Sequence, residues 1–151
     1  MINVQIVFLD HYDQNFTLPN YETPGAAGMD IRAMLPDKGE MIIQPFERTL
    51  IPTGLKLAIP EGYELQIRPR SGLSLKTGLM VVNSPGTIDS DYRGELKIIL
   101  GNLGKNSETI RHGDRIAQMV FAPVQKATFQ VVTELDSTSR GAGGFGSTGR
   151  V

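Results

Sequence analysis

The chain has 151 residues, enough for one domain with a sizeable core, and it contains no cysteine. It therefore forms no disulfide, no thiolate metal site and no cysteine nucleophile. Its net charge of −1 offers no basic surface, so neither nucleic acid nor a membrane is an expected partner. The sequence shows no signal-peptide pattern and no apolar run of membrane-spanning length, which predicts a cytoplasmic protein.

Turn-forming residues are spread along the whole chain. Seventeen glycines and nine prolines separate short apolar runs and do not gather in a linker. Many short elements joined by turns are typical of all-β folds. The sequence predicts a β-sandwich or jelly roll with one short helix and a glycine-rich C-terminal tail.

Alternating apolar and polar residues predict a series of strands. In chain order, the predicted strands cover residues 2–6, 29–33, 41–43, 50–51, 55–59, 63–67, 79–82, 96–100, 109–110 and 128–132. Residues 71–77 are predicted as the helix, with Ser71 capping its first turn and Gly78 ending it in the left-handed conformation. Residues 115–121 fit a helix or a buried strand equally well.

The start of the predicted helix is a candidate anion site. Pro69 keeps the preceding residue extended, so the strand before it ends there. Unpaired backbone N–H groups at a helix start, the Arg70 guanidinium and the Ser71 hydroxyl are suited to a phosphate group, and Gly72 follows directly. The alternative is a capped helix with a surface arginine, and these residues alone do not decide between the two.

Residues 83–94 are the most informative segment, because two carboxylates, a phenol and a guanidinium fall within five positions of one turn. These residues are Asp89, Asp91, Tyr92 and Arg93. Loops fixed between strands often carry binding and catalytic groups. The two aspartates could bind a metal, cap a turn or act in acid–base chemistry. No cluster of histidine or glutamate accompanies them, so a metal cage built by the protein alone is not expected.

Residues 113–118 begin with a turn and end on a polar side chain among apolar neighbours. That side chain, Gln118, needs a hydrogen-bond partner if it is buried. Asp114 and Arg115 are predicted to form a structural ion pair. The two histidines, His11 and His112, lie far apart in loops and are predicted to be solvated or structural.

The tail from Arg140 onward has the composition of a flexible terminus. Two features favour another role. Phe145 stands alone among glycines, and Ser147 and Thr148 lie between glycines that allow backbone N–H groups to converge on an anion. A lid that orders over a ligand is the alternative to a simple flexible end.

Together these segments resemble the five ordered motifs of the homotrimeric dUTPases, the deoxyuridine triphosphate pyrophosphatases. The matching segments are residues 27–31 (Ala-Gly-Met-Asp-Ile), 69–72 (Pro-Arg-Ser-Gly), 83–94, 113–118 and 140–149. They occur in the family's order and span nearly the whole chain. The resemblance implies a jelly-roll-like β-barrel domain over residues 1–139. It also implies a homotrimer in which residues 140–151 form a flexible lid that completes a neighbouring active site.

The resemblance also implies an activity and its residues. The protein would hydrolyse dUTP to dUMP and pyrophosphate, which limits uracil incorporation into DNA and supplies dUMP for thymidylate synthesis. Asp89 would be the general base that orients a water toward the α-phosphorus, and Tyr92 would pack under the deoxyribose. Uracil would be read by Asn83, Gly86, Thr87 and Ile88, with Lys97 lining the same pocket.

The phosphates and the lid complete the implied site. The residues expected to hold phosphates are Arg70, Ser71, Gly72 and Gln118. In the tail, Phe145 would stack on uracil while Arg140, Ser147 and Thr148 close over the phosphates. Asp30 is expected to brace the site. Mg²⁺ is the implied cofactor, held through the substrate phosphates and water with no direct protein ligand.

Two other functions are compatible with such a fold. A deoxycytidine triphosphate deaminase resembles it, but deamination needs an acid–base group at the pyrimidine ring, typically a glutamate, and none lies between Asn83 and Gly94. A non-catalytic trimeric nucleotide-binding module would bind dUTP without releasing pyrophosphate.

Overall fold

The computed structural model describes residues 1–144, which form eleven strands and one short helix. The strands are β1 (Gln5–Phe8), β2 (Met29–Arg32), β3 (Glu40–Ile43), β4 (Arg48–Pro52), β5 (Leu55–Ala58), β6 (Tyr63–Arg68), β7 (Leu79–Val81), β8 (Gly86–Ile88), β9 (Lys97–Asn102), β10 (Glu108–Arg111) and β11 (Arg115–Pro123). The helix, α1 (Ser71–Lys76), lies between β6 and β7.

The strands pair antiparallel in four sheets. The largest sheet has the order β2-β11-β6-β8, and the next has the order β4-β9-β7. The other two are the pairs β1-β5 and β10-β3. Most partners are distant in sequence, as in Greek-key and jelly-roll folds. The predicted all-β, jelly-roll-like fold is confirmed, although the sheets formed by residues 1–144 do not close into a barrel.

Strand β6 shows how the alternating pattern builds the core. Leu65 and Ile67 are buried, whereas Glu64 and Gln66, which alternate with them, are partly exposed. Successive side chains of a strand point to opposite faces, so one face of β6 packs inward. Burying each such aliphatic side chain stabilises the fold by about 1.5–3 kcal/mol. Other strands add fully buried side chains to the same core, among them Ile31, Ile51, Leu100 and Ile116.

The helix forms where it was predicted, but its ends differ from the prediction. Ser71 is its first residue and not its cap; Arg70 occupies the N-cap position, and no side chain caps the helix there. The C-terminal end is closed by the Thr77 hydroxyl, which donates to the Leu73 carbonyl (2.8 Å). Gly78 is needed for close packing, because an added Cβ would collide with the Asn102 side chain and with the Gly104 backbone. Its φ is not in the left-handed region.

Two strand predictions are resolved near the C-terminus. The segment that fitted either a helix or a strand is part of β11, which runs between β2 and β6. The strand predicted at residues 128–132 is wrong, because residues 124–140 contain no strand and are all exposed. Phe129 and Val131 are almost fully exposed, at 99% and 97%. An apolar segment forms a strand only beside a partner, and the described chain brings none to it.

Asp13 ties the N-terminal loop to the turn before β11. Its carboxylate accepts hydrogen bonds from Lys38 Nζ (2.9 Å) and the Asn15 backbone N–H (3.1 Å). His112 Nε2 lies 3.3 Å from Asp13 Oδ2, and His112 Nδ1 lies 3.1 Å from the Leu35 carbonyl. Of the two roles predicted for His112, solvated or structural, these contacts show the structural one. These hydrogen bonds, that of Lys38 foremost, lower the pKa of Asp13 to about 2.

We expect Asp13 to make stability fall in acid. Its pKa is lower in the folded chain than its ordinary value of 3.8, so the carboxylate stabilises the fold above that value and stops doing so as the pH falls through about 2. Asp13→Asn should melt at a lower temperature near neutral pH and lose less of its melting temperature between pH 4 and pH 2. Circular dichroism melts would measure both. The control is Asp37→Asn, an exposed carboxylate that accepts only the Gly39 N–H among the hydrogen bonds of residues 1–144. Parallel slopes in all three proteins would contradict the prediction.

Candidate active site

Asp30, Arg70 and Arg115 form a compact group that we call the arginine cluster. Arg70 Nε donates to Asp30 Oδ1 (2.7 Å), and Arg115 Nη1 donates to Asp30 Oδ2 (3.1 Å). The Asp30 side chain is mostly buried, while both guanidinium groups remain partly exposed. The carboxylate therefore holds two cations side by side, with exposed donors that suit a phosphate group.

The predicted ion pair between Asp114 and Arg115 is wrong. Arg115 was predicted to pair with Asp114, but its partner is Asp30. The Asp114 carboxylate instead accepts the Arg111 backbone N–H (2.8 Å), which closes the turn before β11. Asp30 therefore binds Arg70 through one carboxylate oxygen and Arg115 through the other.

Gln118 lies beside this cluster on β11. It pairs with Asp30 of β2 on one side and with Arg68 of β6 on the other. Directly paired residues of neighbouring strands point to the same face, so all three side chains share one face of the sheet. The backbone of Gly28 packs against the same strand, since an added Cβ would sit 3.5 Å from the Gln118 Cβ. The first, second and fourth predicted segments thus converge within one chain.

Ser71 and Gly72 follow Arg70 directly and are exposed in the first turn of α1. An added Cβ at Gly72 would meet no atom within 4 Å. Packing within this chain therefore does not require a glycine there, and the space beside it is open.

The loop of residues 83–94 is built on β8, which extends the large sheet by pairing with β6. Asn83 folds back on Gly86, where an added Cβ would lie 3.0 Å from the Asn83 amide nitrogen. Thr87 is exposed and Ile88 is partly buried. The uracil-reading residues predicted from the sequence are therefore neighbours along one short strand and the turn before it.

Asp89 follows β8 and is exposed at a cleft of about 570 Å³. The volume lies in the range of small-molecule sites. The cleft is bounded by the loop itself, by the turn between β5 and β6 and by the end of β11, with the lining residues Tyr63, Glu64, Asp91 and Val124. A carboxylate in such a position can reach a bound ligand and water.

Tyr92 and Lys97 both contact Glu95, which follows the end of this loop. The Tyr92 hydroxyl donates to the Glu95 carbonyl (3.1 Å), and Lys97 Nζ lies 3.4 Å from the Glu95 carboxylate. Tyr92 remains about half exposed. Glu95 thus links the two predicted site residues, although no role was predicted for it.

A single chain does not bring Asp89 to the arginine cluster. Asp89 follows Ile88, which pairs with Leu65, whereas Arg70 follows the opposite end of β6. Asp89 is thus near the Leu65 position of β6, and the arginine cluster is near its Arg68 end. The four residues of β6 from 65 to 68 span about 13 Å at about 3.3 Å per residue. None of the cluster's residues lines the Asp89 cleft. The predicted catalytic and phosphate-binding groups of one chain therefore lie at two separate places.

The predicted lid is described only at its start. Arg140 is exposed, and its Nε donates to the Gly143 carbonyl (2.9 Å). Phe145, Ser147 and Thr148 lie outside the described residues.

The sequence analysis assigned no site role to Arg115 of the arginine cluster or to Glu95 beside the loop that carries Asp89. Both were visible as charged residues next to a glycine turn, which is too common a signal to single them out. Arg115 meets Asp30, which lies 85 residues away, and Glu95 also contacts His11 and Gly54, which lie 84 and 41 residues away. Only the fold reveals these long-range contacts.

Within residues 1–144, no three histidine, aspartate or glutamate side chains converge as metal ligands. Across the same residues, no helix is long and apolar enough to cross a membrane.

The fold and these two places define a class of protein: an antiparallel β-protein with a carboxylate in a nucleotide-sized cleft and a separate guanidinium cluster suited to phosphate. A comparison with protein families narrows this class, since the dUTPase family model matches residues 14–149. The chain belongs to the dUTPase family.

Individual relatives agree with this assignment. The deoxyuridine 5′-triphosphate nucleotidohydrolase of Roseobacter denitrificans is 56% identical over 149 residues, which are 99% of this chain and 97% of that protein. The structure of Staphylococcus bacteriophage 80alpha dUTPase with dUpNHpp superposes with a TM-score of 0.84 at 29% identity, covering 99% of each chain. The dUTPase of phage phi11 of S. aureus, a variant described with a structural Mg(II) ion, has a TM-score of 0.75 at 26% identity and covers 88% of this chain and 98% of its own.

Proposed function

We propose that this protein hydrolyses dUTP to dUMP and pyrophosphate by attack of water on the α-phosphate. The observation that carries the proposal is the placement of Asp89, an exposed carboxylate in a nucleotide-sized cleft, within a chain of the dUTPase family. Relatives that share more than half of its residues carry the name deoxyuridine 5′-triphosphate nucleotidohydrolase.

Asp89 is proposed as the general base. It needs to accept a proton from water while that water approaches phosphorus, and an exposed carboxylate at a cleft wall has room for both. The Tyr92 backbone N–H donates to the Asp89 carbonyl (3.2 Å), which closes the loop into a turn behind the carboxylate. The loop can therefore hold this side chain in one place while the substrate binds.

The arginine cluster is proposed to hold the phosphate chain, together with Ser71, Gly72 and Gln118. Phosphoryl transfer relies chiefly on positioning and on stabilising charge on the phosphate oxygens. Arg70 and Arg115 are already oriented by Asp30, so little ordering remains to be done when an anion binds. Arg140, Ser147 and Thr148 are proposed to close over the same phosphates from the tail.

Base and sugar recognition is proposed for the strand and loop around β8. Asn83, Gly86, Thr87 and Ile88 would present amide and backbone groups to the uracil edge, and Lys97 would line the pocket. Buried polar groups that match a base edge reject other bases because a mismatch leaves them unpaired. Tyr92 would pack beneath the deoxyribose, and Phe145 would stack on uracil.

Mg²⁺ is proposed to arrive with the substrate. No three histidine, aspartate or glutamate side chains of residues 1–144 converge as ligands of their own, so the phosphate oxygens and water are proposed to supply most of the ligands. A cation held mainly by phosphate oxygens and water needs no more than this. When bound, it would neutralise charge on the phosphates.

We also propose that the protein works as a homotrimer in which neighbouring copies share each site. The separation of Asp89 from the arginine cluster supports this, because a second copy can supply the missing half. The exposed apolar residues of the C-terminal arm, Phe129, Val131, Val132 and Leu135, also support it, since such a segment is normally covered. An apolar groove of about 390 Å³ beside the N-terminus offers a complementary surface on another copy.

A substrate panel tests the activity. With Mg²⁺ present, we expect pyrophosphate release from dUTP and slower release from the other three nucleotides. Cytosine leaves the polar contacts to the base unpaired, so dCTP should react at no more than about 1% of the dUTP rate. UTP and dTTP keep the polar edge of uracil and are rejected by steric fit, so their rates should be about 10- to 200-fold lower. Ion chromatography of the products would measure it. Ammonia release from dCTP would instead identify a deaminase, and dUTP binding without pyrophosphate release would identify a non-catalytic module.

A further inference from the structure

Glu95 is a mostly buried carboxylate directly beyond the loop that carries Tyr92; its side chain is 12% exposed. Glu95 Oε1 accepts the Gly54 backbone N–H (2.9 Å) and lies 2.7 Å from His11 Nε2. Glu95 Oε2 lies 3.4 Å from Lys97 Nζ. Three elements therefore hold this carboxylate: the N-terminal loop, the turn between β4 and β5, and β9. Of the two roles predicted for His11, solvated or structural, this contact shows the structural one.

These contacts also keep the carboxylate charged. Burial by itself raises the pKa of Glu95, but the hydrogen bonds from Gly54 and His11 outweigh it and lower the pKa below its ordinary value. A charged acceptor makes stronger hydrogen bonds than a neutral one. The hydrogen bonds that the Glu95 carboxylate accepts from Gly54 and makes with His11 are therefore charge-assisted near neutral pH.

The backbone of the same residue holds the Tyr92 ring. The Tyr92 hydroxyl donates to the Glu95 carbonyl (3.1 Å). The phenol lies over Gly94, where an added Cβ would collide with the hydroxyl. Since 46% of Tyr92 is exposed, packing alone does not fix the ring. Its position therefore depends on where the Glu95 carbonyl stands. Two contacts hold that peptide unit: the anchored Glu95 side chain and the Leu96 N–H, which donates to the Leu55 carbonyl (2.8 Å).

We propose that Glu95, anchored by His11 and Gly54, is a positioning residue that holds Tyr92 in place and thereby sets the preference for deoxyribose over ribose. The inference rests on the proposed function, in which Tyr92 packs beneath the sugar. A ring that cannot move leaves no space for a 2′-hydroxyl, whereas a ring that can swing away admits one. Discrimination by one small group in a pocket is typically worth about 10- to 200-fold, so its loss should be measurable.

The kinetic test compares kcat/KM for dUTP and for UTP. We expect Glu95→Ala to lower the dUTP:UTP ratio by about tenfold, within the range that steric fit supplies. Glu95→Gln should keep most of the ratio, because its amide oxygen can still accept both hydrogen bonds. Tyr92→Phe should lower the ratio like Glu95→Ala, and the double variant should lose no more than Tyr92→Phe alone, because both changes remove one interaction.

A matched control separates positioning from general damage. Glu108 Oε1 also accepts a glycine backbone N–H, that of Gly78 (3.2 Å), but it lies on β10 and does not contact Tyr92. Glu108→Ala should therefore leave the ratio unchanged even if it lowers the melting temperature. Equal losses for dUTP and UTP in Glu95→Ala, or equal falls of the ratio in both alanine variants, would overturn the inference.

A spectroscopic test does not depend on turnover. The chain has four tyrosines, so fluorine NMR of protein labelled with 3-fluorotyrosine gives few signals, and Tyr92→Phe identifies that of Tyr92. The signal should shift and broaden in Glu95→Ala, but stay in place in Glu95→Gln and Glu108→Ala. An unchanged signal in Glu95→Ala overturns the inference whatever the activity. Failure of the unaltered protein to hydrolyse dUTP, with the signal responding as expected, overturns the proposed function instead and leaves the anchoring of Tyr92 by Glu95 standing.

Discussion

Asp89→Asn should lower kcat for dUTP hydrolysis by about 10³-fold, within the range that general-base catalysis contributes. The amide has nearly the same shape as the carboxylate but cannot accept the proton of the attacking water. Binding of dUTP should persist, because the phosphate and uracil contacts come from other residues. Initial rates of pyrophosphate release and calorimetric titration with a non-hydrolysable analogue such as dUpNHpp would measure the two effects separately.

Asp91→Asn is the matched control for this variant. Asp91 lines the same cleft and carries the same charge, so it shares any general effect of a carboxylate on the bound nucleotide. We expect its kcat to stay within about threefold of the unaltered protein, since a charge beside the reacting group changes a barrier far less than loss of the base. If both variants lost activity equally, the cleft's negative charge and not the Asp89 base would be the operative feature.

The separation of Asp89 from Arg70 predicts that two inactive variants can restore activity when they assemble together. Asp89→Asn and Arg70→Gln should each be nearly inactive alone. In a mixed assembly, the intact Arg70 of one copy can face the intact Asp89 of another, so mixing the two after refolding should restore part of the activity. A site built within one chain would show no recovery, because each copy would keep its own defect.

Features formed by residues adjacent in sequence, such as strand β6 and the loop around Asp89, could be predicted from the sequence. Strand β6 could be recognised because an alternating pattern needs only its own residues. The loop around Asp89 could be recognised because its ionisable residues are adjacent. The remaining contacts depend on partners that local patterns do not contain. Glu95 meets Gly54 and His11, which lie 41 and 84 residues away.

The wrong predictions have the same origin. Asp114 is next to Arg115 in sequence, and adjacency suggested a pair, but the Asp114 carboxylate turns back to accept the Arg111 backbone N–H in the turn before β11. Arg115 finds its carboxylate 85 residues away on β2, where the sheet brings Asp30 beside it. The strand predicted at residues 128–132 has the right composition and lacks a partner within the described chain. Its apolar side chains fit the proposed contact with another copy.

Deleting residues 140–151 should abolish most of the turnover without unfolding the domain. In the proposed site, Arg140, Phe145, Ser147 and Thr148 close over the nucleotide, and losing that closure should lower kcat by about 10²-fold or more, as misplacement of a substrate does. The melting temperature should be unchanged, because residues 140–142 are exposed and the hydrophobic core formed by residues 1–144 contains no residue beyond β11. Circular dichroism and initial rates would measure the two properties.

A shorter deletion makes this test specific to the lid. The family match ends at residue 149, so removal of residues 150–151 alone should leave turnover close to that of the full chain. A longer deletion from residue 124 should also remove the exposed apolar arm, and sedimentation would then show smaller assemblies than for the full chain. If the 140–151 deletion kept full turnover, the tail would have no part in catalysis, whereas loss of assembly in that variant would assign the tail to the interface. Retained assembly with lost turnover is the combination that a lid requires, because it separates closure of the site from the contacts that hold the copies together.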